Sequence, residues 1–343
     1  MSERFVWATV ALLGMAATPV CAQDAITPDV CAVSATELAL PSVLPTDPVA
    51  APFGVGRLWR VTAPGGQVSH VWGSLHSSDR AILDLPVQAT EALASARVLV
   101  MESDPRPKSR TEIAERALQA GVWLSPADQP WDKPWLDGPA RTWAEERIAA
   151  LTQDDGAFAA LTDMGLAYLL MSDPCEDFAA PALPTQDMLF LLKAHQAGLA
   201  VASLEHWDAF LTEMSQPERA EEVQALARIN AAFLNPEGYH AARAETFRLY
   251  LAGRIADLRR ASGGYLATRF GGAEAARLTE LADRYLIGER NRRFARALAR
   301  HLDEGGAMVV VGAFHLGGEA GLLALLRAGG YGVERIPLPG EAE

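Results

Sequence analysis

Apolar positions along the chain follow two different periods. Between residues 57 and 74 they alternate, in RLWRVTAPGGQVSHVWGSLH, and the alternation breaks at Pro64-Gly65-Gly66. Because successive side chains of a strand face opposite sides, this pattern predicts a β-hairpin with strands over 57–62 and 68–74. PVQATEALASA continues with helical spacing and Pro86 in its first turn, and RVLVMES returns to a strand. From about 105 to 195 the spacing is helical, interrupted at Pro126, Pro130, Pro134, Pro139, Pro174 and Pro181. LAVASLE, residues 199–205, reads as a short strand. Helices resume after it, one entered through Asn235 as N-cap with Pro236 at the first helical position. SGGYLATRFGG, residues 262–272, reads as a mobile turn between helices. RNRRFARALARHL is an amphipathic helix, AMVVVGA a strand, AGLLALLRAGG a helix and YGVERI a closing strand. The expected fold class is α/β, with a mixed sheet built from strands at both ends of the chain and a large helical insertion in the middle.

The first 22 residues change the picture. Arg4, an apolar run over 5–17 and the small residues around Val20-Cys21-Ala22 predict a signal peptide cut after Ala22, hence an exported protein, periplasmic or secreted. The run is too short to span a bilayer, and no later segment approaches the roughly 20 apolar residues of a membrane helix. No stable membrane insertion is therefore expected after cleavage. A lipoprotein reading of Cys21 lacks the small residue expected just before the cysteine, where Val20 stands. Residues 23–55 read as an irregular arm, and 56–340 as a single domain whose helical region covers about 105–300. Loss of Cys21 leaves Cys31 and Cys175, an even pair that an oxidising compartment would join as a disulfide; two buried free thiols are the alternative. With 343 residues, 50% hydrophobic and 21% charged, the chain suits a substantial core, and its net charge of -13 without a long basic run excludes nucleic acid as a partner.

Candidate chemistry comes from a pattern that occurs twice. Gly73-Ser74-Leu75-His76 ends the hairpin, and Gly312-Ala313-Phe314-His315 follows the strand at Val309 to Val311, opening a strand-to-helix turn over 312–318. In each, a glycine lets the backbone turn or approach a ligand closely, and a histidine projects where α/β sheets place their binding crevices. Glu102 stands at the end of VLVMES, before Ser103, and Glu205 ends LAVASLE. Should these strands lie side by side, two imidazoles and one or two carboxylates converge as a first shell for a divalent transition metal. The alternative is separate residues that hydrogen-bond loop backbones. No HExxH helix, GxSxG elbow, GxxxxGK[ST] loop or GxGxxG turn is present, so no serine nucleophile, P-loop or dinucleotide site is expected. Trp123, Trp131, Trp135 and Trp143 crowd a proline-broken stretch, either as an aromatic platform or as packing of an irregular loop onto its own helices. Of the other histidines, His70, His195, His240 and His301 read as surface or packing residues, and His206 adjoins Glu205.

GSLHSSDRAILDLPVQATEALASARVLVMESD, SLEHWDAF, GERNRRFARAL and VVVGAFHLGGEAGLLALLRAGGYGVERI resemble, in order, the signature blocks of the TraB/PrgY/GumN family, which includes the Tiki proteases. The resemblance runs from about 57 to 337. It implies an α/β core related to the EreA/ChaN-like fold and an active site of Gly73, His76, Glu102, Gly312 and His315. Arg290 and Asn291 match the family's Arg-Asn pair, and Phe314 stands where many members have glycine, which puts a ring near the site entrance. The implied activity is hydrolysis of a peptide or protein substrate by water on a divalent transition metal, Mn, Co or Zn, held by His76, Glu102 and His315. Glu205 would act as general base or orient a histidine, with a loop cap as its alternative. Arg290 would stabilise negative charge on the substrate oxygen, with a plain ion pair as its alternative. A competing reading is a non-catalytic binding protein that sequesters a peptide, haem or metal at the same site.

Overall fold

A computed structural model describes residues 49–103, 121–126, 130–174, 184–206 and 208–342. The leader, most of the arm, Cys31 and Cys175 lie outside these residues, and so does the expected disulfide. Among the described residues no helix is long and apolar enough to cross a membrane.

The expected strands form: β1 (Leu58–Thr62), β2 (Val68–Ser74), β3 (Val98–Ser103), β4 (Ala200–Glu205), β5 (Ala307–Gly312) and β6 (Gly332–Arg335). They make one mixed sheet in the order β4-β3-β5-β2-β1-β6. β1 runs antiparallel to both β2 and β6, while β2, β5, β3 and β4 are mutually parallel, with Ser74 beside Gly312 and Ser103 beside Glu205. The hairpin turns where Gly66, at φ 86°, donates its N–H to Ala63. β5 is buried along its whole length, as a central parallel strand covered on both faces must be.

Helices named in chain order are α1 (Val87–Ala94), α2 (Gly138–Thr152), α3 (Asp163–Leu169), α4 (Gln186–Gln196), α5 (Ala220–Phe233), α6 (Pro236–Leu251), α7 (Ile255–Phe270), α8 (Gly272–Asp283), α9 (Arg290–Glu304) and α10 (Leu322–Ala328). Val71, Val98, Val100, Val309 and Val311 face Phe294, Leu298 and Leu302 of α9 and Leu322, Leu323 and Leu326 of α10. The opposite parity, Trp72, Leu99, Met101, Met308 and Val310, packs on Ala89 and Leu93 of α1 and Phe190, Leu191 and Ala194 of α4. The remaining helices build the middle of the chain. There Trp123, Trp135 and Trp143 pack into apolar clusters, and the Trp131 and Trp135 indoles donate to Asp163 Oδ1 at 2.7 and 3.2 Å. Trp123, Trp135 and Trp143 are thus packing residues, while Trp131 is exposed.

Two local expectations are corrected. Pro86 stands at the N-cap of α1, one position before the first turn. The turn expected over 262–272 is instead helix: α7 runs unbroken to Phe270, and the chain reverses only at Gly271, at φ 79°. Gly263 and Gly264 lower helix propensity, but Ile255, Leu258 and Leu266 bury one face, and Tyr265 stacks on Phe233 at 4.7 Å. A Cβ at Gly263 or Gly264 meets nothing within 4 Å. Gly263→Ala and Gly264→Ala should therefore each raise stability by about 0.5–1 kcal/mol, read as a higher urea midpoint at unchanged slope. A lower midpoint would mean that the glycines serve a break that the helix does not show.

Candidate active site

Each parallel strand delivers one group to the same edge of the sheet. Glu205 is the last residue of β4, Glu102 the penultimate residue of β3, and Gly312 ends β5. His315 closes a 3-10 turn over Ala313–His315, and His76 lies just past β2. The groups thus stand in strand order along the carboxyl ends, the place where such sheets bind ligands. Arg290 and Asn291 open α9, directly after a π-helical stretch over Arg284–Glu289. Such π-turns recur at functional sites because they re-aim the side chains that follow.

Gly312 marks the centre. A Cβ there would lie 3.3 Å from Glu102 Oε1 and 3.6 Å from both His76 Nε2 and His315 Cδ2, so the three side chains surround one point. Gly312 has φ -55°, which any residue adopts, so what glycine supplies is space. Gly73 serves packing instead: a Cβ on it would fall 2.5 Å from Leu316 Cδ1 and 3.1 Å from the Ala313 backbone.

Glu102 accepts from the Gly312 N–H through Oε1 and from Arg290 Nη2 through Oε2 at 2.8 Å. Arg290 also donates from Nε and Nη2 to Glu205 Oε1, at 3.1 and 2.6 Å. The three side chains are 14%, 11% and 6% exposed for Glu102, Arg290 and Glu205, so this is a buried cation between two carboxylates. Burial pushes the Glu102 carboxyl up, but His315, Arg290, His76 and the Gly312 N–H outweigh it and hold it at about 2.

The two histidines are fixed differently. Asn291, fully buried, accepts from His315 Nδ1 at 2.7 Å and donates to the carbonyls of His315 and Ala320. His315 Nε2 is left as an acceptor, 3.4 Å from Arg290 Nη1. Burial lowers the His315 pKa to about 4 against the opposing pull of Glu102, so the ring is neutral. His76 Nδ1 donates to Asp187 Oδ2 at 2.7 Å, and Ser74 Oγ donates to Asp187 Oδ1 at 2.6 Å. The Asp187 carboxylate raises His76 above the ordinary histidine range; the imidazole remains 65% exposed, so solvent screens this pairing. Asp187 sits in the first turn of α4, where the helix dipole favours negative charge. Beside it, buried Gln186 accepts from Trp72 Nε1 and the Leu75 N–H, both at 3.1 Å, and donates to the Ile82 carbonyl, which pins α4 to the end of β2.

Of the expected residues, His76, Glu102, Gly312, His315 and Arg290 share one site. Glu205 and Asn291 support it: Glu205 holds Arg290, and Asn291 holds His315. The Phe314 ring packs with Leu249, Ile255 and Leu258, 5.5 Å from the Arg259 guanidinium. His206 pairs with Asp208 in an exposed position. Asp187 is the functional residue that sequence reasoning missed. Its local signal, an acidic residue after Thr185 at a helix start, is what any helix N-terminus offers.

Whether a divalent transition metal fits is a question of donors and of space. His76 Nε2, His315 Nε2 and Glu102 Oε1 are the right kinds of atom, and each imidazole has its other nitrogen engaged by Asp187 or Asn291, as ligating histidines require. The donor set fits. Among the described residues, however, no three His, Cys, Asp or Glu groups stand arranged to hold an ion, and the positive charge between the carboxylates is the Arg290 guanidinium.

A model of the family described as TraB/PrgY/gumN matches residues 57–335. Comparison with curated proteins and with solved structures gives no match.

Proposed function

We propose that this chain, which belongs to the TraB/PrgY/gumN family, is an exported metal-dependent hydrolase of peptide bonds. One observation carries the reading: His76, Glu102 and His315, brought from opposite ends of the chain, surround a single point at the carboxyl edge of the sheet. A Mn, Co or Zn ion held there by His76, Glu102 and His315 would supply a water acidified towards neutrality. In hydrolysis the water oxygen bonds to the carbonyl carbon, the C–N bond breaks, and the leaving nitrogen gains a proton.

The chain's own residues account for the rest. Asp187 and Asn291 lock the two imidazoles in fixed tautomers, with each Nε2 towards the site. Arg290 sets a guanidinium beside the reacting point, where negative charge on a carbonyl oxygen would be stabilised. Glu205 keeps that guanidinium aligned by accepting from both Nε and Nη2.

Elemental analysis of protein purified without chelator, run beside a peptide-library cleavage screen, tests the proposal. The expected result is about one divalent ion per chain and cleavage that stops on chelation and returns on metal addition. A metal-loaded protein that binds peptides yet leaves them intact over long incubation would replace hydrolysis with sequestration.

A further inference from the structure

His76 belongs to a second feature besides the cradle above Gly312. It also lines a cavity of about 230 Å³ that runs from Leu75 and Ser77 to the C-terminal end of α5 and the middle of α6. Leu170, Met171, Phe233, Leu234 and Phe247 make its walls. An apolar cavity of about 150 Å³ holds a benzene ring, and whole small-molecule ligands need about 300 Å³ or more. This cavity is therefore sized for one large side chain with part of its backbone.

The charged groups at the cavity are already paired. Arg243 pairs with Asp79 at 3.3 Å and with Asp173 at 3.5 Å, and Tyr239 donates to Asp173. A charged guest would have to break these pairs to find a partner, whereas an apolar guest would leave them intact.

We propose that this cavity is the subsite for the substrate side chain next to the scissile bond and that it selects a large uncharged residue such as leucine, methionine or phenylalanine. The inference rests on the hydrolase reading for the word scissile, but not for the binding preference. His76 faces both the cradle and the cavity, so a side chain seated in the cavity places its own peptide bond beside the reacting point.

The test uses the full chain and octapeptides of glycine and serine with one varied position, carrying phenylalanine, leucine, glycine, aspartate or lysine. Calorimetry measures binding and mass spectrometry measures cleavage. Phenylalanine and leucine peptides should bind about tenfold to a hundredfold more tightly than glycine, aspartate or lysine peptides. Ala242→Leu and Thr246→Met, which fill the cavity from α6 without touching the cradle, should each erase that preference. Equal binding of all five peptides by the wild-type protein overturns the subsite, whether or not either variant folds. Preference without cleavage keeps the subsite and removes the hydrolase; cleavage without preference does the reverse.

Discussion

Arg290→Met should lower folding stability by about 3–5 kcal/mol, the largest stability loss expected of any single change at this site. The side chain is 11% exposed and lies between Glu102 and Glu205, themselves 14% and 6% exposed. Removing the cation leaves two buried carboxylates facing each other, with only the Gly312 N–H and the imidazoles beside Glu102 and the Arg293 guanidinium 3.9 Å from Glu205 to offset their desolvation. Methionine keeps the aliphatic stem but leaves the space of the guanidinium unfilled, so lost packing adds to the effect. The pH dependence identifies the cause. In the wild-type protein Glu102 is held at about 2, below its ordinary 4.5, so its contribution is fully present above 4.5 and is lost as pH falls towards 2. In the variant Glu102 takes up its proton at higher pH and so relieves the repulsion. The deficit should therefore be greatest at pH 6–8 and shrink on acidification, as read by urea denaturation across that range. Arg290→Lys, which keeps the charge but loses the fork that spans both carboxylates, should fall between the two. A deficit under about 1 kcal/mol at pH 7 would show that solvent reaches the trio and that the pairing is an ordinary surface one.

The same trio shows where the sequence was readable. Glu102 and Glu205 stand at the ends of strands whose apolar runs are unambiguous, and in the sheet Ser103 pairs with Glu205. His76 and His315 were readable because a glycine three residues ahead of each places them past a strand end. What no local pattern encodes is strand order. β5 enters between β3 and β2, from the far end of the chain, and only that insertion brings His315 between Glu102 and His76. Asp187 depends on the same non-local fact, since its helix covers the face of the sheet from which Ser74 projects. The α7 misreading has the opposite origin. Gly263 and Gly264 are a true local signal for a break, but packing on Phe233 and burial of Leu258 and Leu266 override it.

Glu102→Gln should reduce peptide turnover by about 10²–10⁴-fold while leaving the fold intact, the largest functional loss expected at the site. The substitution keeps shape and volume. It changes what the side chain offers: Glu102 presents two acceptor oxygens, one to the Gly312 N–H and one to Arg290 Nη2, and glutamine presents one oxygen and an NH₂. One of these two donors must then face another donor, which unsettles either the centre of the site or the guanidinium beside it. Stability suffers less than in Arg290→Met, because Arg290 keeps Glu205 as a partner. Wild-type Glu102 is ionised down to about 2, so the deficit should be constant with pH from about 4 upward. Asp187→Asn is expected a step lower, at about ten- to a hundredfold, because it orients His76 and does not face the reacting point. That ranking is the discriminating measurement. If Glu102→Gln turns over peptides like the wild type, the carboxylate takes no part in the reaction and the convergence above Gly312 serves only to hold the strand ends together.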